Sequence, residues 1–152
     1  MGIYSALHVL GMMIWVGGMF FAYMFLRPAA ASQLEPPARL NLWRHVFNRF
    51  FPWVWVMIVL VPVTGVLLIV EMGGMAAVGR YVHIMTTLGL LMVLIFLHVF
   101  FAPFRKLKRF LDADDIPSAG KQLSQIRWLV GLNTVIGLIT ILVATAGKFY
   151  FT

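Results

Sequence analysis

Four histidines carry most of the chemistry in this chain: His8, His45, His83 and His98. His8 and His83 fall inside long apolar runs. An imidazole in water-free hydrocarbon costs a few kcal/mol or more unless it is partnered, so each is a functional-site candidate by default. Neutral imidazole is also the commonest metal ligand among side chains. Ten methionines add soft thioether donors, and imidazole combined with thioether suits Cu(I). Met12, Met13 and Met19 lie near His8, Met85 lies near His83, and Met72 and Met75 lie between the second and third apolar runs. Methionine is equally an ordinary gap filler in apolar cores, and Met72-Gly73-Gly74-Met75 is the one MxxM element. Cysteine is absent, which excludes disulfides, thiolate metal sites, iron–sulfur clusters and covalently attached haem. No glycine-rich phosphate loop, Ser/His/Asp set or intramembrane carboxylate pair occurs, so hydrolysis and nucleotide chemistry have no support.

Spacing sharpens the histidine question. Read as helices, the runs place His8 and His83 about 4–8 Å below one membrane surface at ~1.5 Å per residue. His98, on the same run as His83, then sits ~22 Å lower and is rotated only ~60° from it. One face of that third helix reads His83, Thr87, Leu90, Leu94, His98, and the matching face of the first reads His8, Met12, Trp15, Met19. Two imidazoles at one depth with apolar walls are what a b-type haem requires. On that reading His8 and His83 are the axial ligands, Met12, Trp15, Thr87 and Leu90 line the pocket, and Asn133 meets a propionate. Gly11, Gly17 and Gly18 remove bulk beside the first helix, admitting either a macrocycle or a neighbouring helix. The alternative is that His8 and His83 are interfacial, with polar tips among the headgroups. A second pair, His45 with His98, requires the second helix to begin well before Pro52. Otherwise His45 lies ~10 Å outside its span and His98 ~9 Å inside its own. Arg44, His45 and Arg49 also suit binding lipid phosphate or positioning the connector.

The elements that position these groups are membrane spans. Of 152 residues, 62% are hydrophobic and only 11% charged, far from a soluble composition. Four apolar windows of the ~20 residues that a span needs occur at 3–26, 52–70, 81–104 and 128–150. Turn signals separate them at Arg27-Pro28, Pro36-Pro37, Gly73-Gly74 and Ile116-Pro117. The expected fold is all-α, a four-helix integral membrane bundle forming a single domain over 1–152, and the first run reads as a retained span. The net charge of +7 does not point to nucleic acid. Arginine and lysine concentrate in the first and third connectors, which the positive-inside rule places in the cytoplasm, with both termini on the outer (periplasmic) side. The start of connector three, with Phe104, Leu107, Phe110 and Leu111 among basic residues, is expected to extend the third helix past the membrane. The fourth run carries a small and polar stripe, Asn133, Gly137, Thr140, Ala144 and Lys148, suited to close helix packing.

The stretches LHVLGMMIWVGGMFFAYMFLRPAA and RHVFNRFFPWVWVMIVLVPVTGVLLI resemble the CopD family of integral membrane proteins, named from copper resistance. The layout is also similar to the HemJ family, four-helix proteins implicated in protoporphyrinogen IX oxidation, whose first-helix histidine matches His8 and is taken as a haem ligand. That family follows its third-helix histidine with an essential lysine, where this chain has Thr86 and Thr87. Its Asn-Glu-x-Pro element is reduced here to Asn133-Thr134-Val135. These departures argue against protoporphyrinogen oxidation. The resemblance implies a four-helix scaffold with His8 as a ligand. The leading expectation is therefore a haem b protein of a bacterial inner membrane, working in electron transfer with a redox partner protein. Copper binding or transport is the first alternative. A non-catalytic membrane subunit is the second, and the small-residue faces allow a homo-oligomer.

Overall fold

The computed structural model describes residues 1–151, and every regular element among them is helical. Helix α1 spans Gly2–Phe21 and continues through a π-helical turn at Ala22–Leu26 into α2, Arg27–Gln33. Pro28 accounts for the irregular turn. Within it the helix widens so that the Arg27 N–H reaches back to the Ala22 carbonyl. In that register the Tyr23 carbonyl would receive the N–H of residue 28, which proline lacks. The Arg27 side chain supplies the missing donor, with Nε 3.2 Å from the Tyr23 carbonyl oxygen.

A tight turn at Leu34–Glu35 leads into α3, Pro36–Glu71, a single helix of 36 residues. Both turn residues are extended (ψ 138° and 156°), and a residue preceding proline favours extended backbone. Pro36 and Pro37 occupy the opening positions, where a missing N–H costs nothing. The segment 36–51, expected to be a connector, is thus helical. Leu40, Trp43, Phe47 and Phe51 recur at helical spacing and are all buried. A turn through Gly73 and Gly74, both at positive φ, leads to α4, Arg80–Phe101. The chain breaks at Ala102, ahead of Pro103, and resumes as α5, Pro103–Asp112. Helix α5 buries Phe104, Leu107 and Leu111 and exposes Arg105, Lys106 and Arg109, so the third run does extend past its apolar part, with a kink. Helix α6, Ile116–Tyr150, starts twelve residues ahead of the fourth apolar window, with Asp115 accepting the Ser118 N–H at 3.2 Å.

The four rods Gly2–Gln33, Pro36–Glu71, Arg80–Asp112 and Ile116–Tyr150 are each long and apolar enough to cross a membrane. At 1.5 Å per residue the longest is about 54 Å, well beyond the ~30 Å hydrocarbon core. Packing is by hairpins: α1 lies chiefly on α3, while α4 and α5 lie on α6. Helix α1 also touches α6, whereas α1 and α4 occupy opposite corners. Glycines set the α1–α3 spacing. A Cβ on Gly11 would sit 2.7 Å from Val61, and one on Gly18 only 2.5 Å from the Phe50 ring. The bulk missing from α1 therefore admits the neighbouring helix. Gly17 faces open space. Of the small and polar stripe on α6, Asn133, Gly137 and Thr140 are buried, Ala144 is partly buried and Lys148 is exposed.

Candidate functional site at the seam of α1 and α3

His8 lies on the face of α1 turned to α3 and is half-buried. Its Nδ1 is 2.9 Å from the Val61 carbonyl oxygen and 3.1 Å from Thr64 Oγ1. A carbonyl can only accept, so Nδ1 carries the proton. The Thr64 hydroxyl donates its own hydrogen to the Leu60 carbonyl at 2.7 Å, which leaves Oγ1 as a second acceptor for the imidazole. The tautomer is thereby set, and in the neutral ring Nε2 keeps its lone pair. Among the described residues nothing hydrogen-bonds to it. A metal-ligating imidazole is usually held this way, with its other N–H on a carbonyl. Gly65 makes room for the ring, since a Cβ there would lie 3.2 Å from His8 Cε1.

Thioethers adjoin this seam. Met12 stands one helical turn from His8 on the same face and is buried. Met57 on α3 is also buried, its Sδ 3.5 Å from the point a Cβ on Gly11 would occupy. Met19 and Met92 lie deeper in the core, whereas Met13 and Met75 are exposed. Met57, Met92, Val61 and Thr64 carried no mark in the sequence beyond their place in apolar runs. Val61 takes part through its backbone, which no residue type announces.

The expected haem pair does not assemble within one chain. His83 is exposed on α4, as are Thr87, Leu90, Leu94 and His98, so that whole face points away from the bundle. His8 instead addresses α3, and α1 and α4 sit at opposite corners. Equal depth brings imidazoles together only on adjoining faces. The His45–His98 pair fails similarly. Helix α3 does extend back past His45, but both side chains are exposed, and His45 Nδ1 lies 2.8 Å from the Asn41 carbonyl of its own helix. Arg44, expected to bind lipid phosphate or position the connector, pairs with Asp112 at 2.8 Å, which ties α3 to α5. Among the described residues no cluster of three histidine or acidic side chains suits a metal.

Trp15 and Asn133 belong to the bundle interior. Asn133 Nδ2 donates to the Met92 carbonyl at 3.3 Å, tying α6 to α4. Among the described residues its Oδ1 and the Trp15 Nε1–H have no partner, and both residues line an apolar cavity of about 460 Å³. No histidine lines that cavity, so these residues and His8 do not form one haem pocket.

The fold and the seam together define a class: a multi-pass helical membrane protein holding one tautomer-fixed histidine beside buried thioethers. The chain matches the family described as Copper resistance protein D over residues 44–146 and belongs to that family. The matched stretch includes Val61 and Thr64, and His8 precedes it. No curated protein and no solved structure matches the chain.

Proposed function

We propose that the protein binds Cu(I) within the membrane, with His8 Nε2 as the nitrogen ligand and the Met12 and Met57 thioethers as soft partners. The observation that carries this reading is the His8 geometry: Nδ1–H committed to the Val61 carbonyl, Nε2 free, Met12 one turn along α1 and the Met57 thioether beside Gly11. Membership of a copper-resistance family supports copper over other cargo. Imidazole and thioether are the donor set Cu(I) favours, and a site of neutral ligands leaves the ion exchangeable rather than entombed. The working location is a bacterial inner membrane, with the arginine- and lysine-rich end in the cytoplasm and the Met72–Gly79 turn outside. His8 then sits near the outer surface, where it would meet copper arriving from that side.

The test is a Cu(I) competition titration on detergent-purified protein against a chromophoric chelator. His8→Ala is expected to weaken Cu(I) binding at least tenfold, and Met57→Leu to weaken it less while preserving the fold. Unchanged affinity in His8→Ala would overturn the assignment. His83→Ala, on the outward face of α4, is expected to leave it unchanged.

A further inference from the structure

A second cavity, of about 480 Å³, opens where α2, the start of α3 and the start of α6 converge. Three arginines from three elements line it: Arg27, Arg39 and Arg127. No carboxylate is among its lining residues. Among the described residues none of the three makes an ion pair, while the nearby acids are spent elsewhere or stand apart. Asp112 holds Arg44, Asp115 caps α6, and the Glu35 carboxylate at the turn makes no ion pair among the described residues. Three like charges around one hollow repel one another, an arrangement that an oxyanion relieves. Two of the guanidiniums, those of Arg27 and Arg39, are also held in place beforehand. Arg27 lies over the Tyr23 ring (4.5 Å to the centroid) with Nε on the Tyr23 carbonyl, leaving both terminal nitrogens free. Arg39 leans toward the Ala31 carbonyl at 3.5 Å.

The floor is apolar. Ala22, Phe47 and Val130 line this cavity and also the 460 Å³ cavity in the bundle interior, so the two hollows adjoin. A small inorganic anion would satisfy the arginines and leave that floor empty. We infer that Arg27, Arg39 and Arg127 form a binding site for an anionic lipid, its phosphate or carboxylate held by the guanidiniums and its acyl chain laid along Phe47 and Val130. The site is independent of the copper reading and lies on the far side of the bundle from His8.

The experiment is native mass spectrometry of delipidated protein titrated with phosphatidylglycerol or phosphatidylcholine, with thermal melting as a second readout. The expected result is one tightly held phosphatidylglycerol, preferred over phosphatidylcholine and raising the melting temperature. Arg27→Gln, Arg39→Gln and Arg127→Gln should each weaken it about tenfold, the worth of one charge-assisted hydrogen bond. The triple variant should lose the preference. A control neutralising Arg105, Lys106 and Arg109 on the exposed face of α5 should retain it. Equal loss in the control would overturn the site in favour of general attraction to basic surface. Displacement of the lipid by millimolar inorganic phosphate would show that the head alone is recognised and would overturn the lipid assignment. The single variants keep the test decisive if the triple variant does not fold.

Discussion

At the scale of single residues, the fit of His8 depends on what Gly65 lacks. Gly65→Ala would place a methyl 3.2 Å from Cε1 and press the ring to shift by a few tenths of an ångström against its bond to the Val61 carbonyl. Losing such an orienting bond typically costs 10–100-fold in metal affinity, so weakening it is expected to lower Cu(I) binding by up to about tenfold in the same titration. Alanine is the better helix former by ~1 kcal/mol, so a melting temperature held or raised alongside weaker binding would separate ligand orientation from stability. Thr64→Val removes only the longer contact and should have the smaller effect. His8 itself was legible in the sequence, because an ionisable group inside an apolar run stands out. Its partner was not. Depth along a helix is a count of residues, whereas the direction a side chain faces depends on which helices adjoin, and no spacing within α1 or α4 encodes that.

At the scale of elements, neighbouring glycines on α1 do different things. Gly18 abuts the Phe50 ring and Gly17 faces open space. Gly18→Ala is expected to destabilise by about 1–3 kcal/mol, as overpacking does, while Gly17→Ala should be neutral or mildly stabilising. Unfolding in mixed micelles, comparing the two, checks this, and equal effects would mean that α1 and α3 are not in close contact. The four apolar windows were readable because a bilayer demands unbroken runs. The reach of α3 back to Pro36 was obscured because Arg39, Arg44 and Arg49 interrupt the apolar count. The repeat Leu40, Trp43, Phe47, Phe51 carries the helix there instead. The π-helical turn likewise follows from Pro28, but whether a proline kinks, widens or ends a helix depends on what can serve its orphaned carbonyl, and here Arg27 does.

For the whole molecule, the charge asymmetry predicts one orientation. The protein contains no cysteine, so single cysteines report topology without background. Cysteine at Ser32 or Ala113 should resist a membrane-impermeant maleimide applied outside intact cells, and cysteine at Met75 should react. The reverse pattern would place His8 on the cytoplasmic side and remove the argument for copper arriving from outside. The hairpin pairing has a further consequence. Helix α1 finds its main partner in the next long helix, and α4 and α5 find theirs in α6, so most burial is between consecutive stretches of chain. Such local pairing favours rapid, stepwise assembly. During synthesis the first hairpin can enter the bilayer and close, seating His8 against Val61, before the second has left the ribosome.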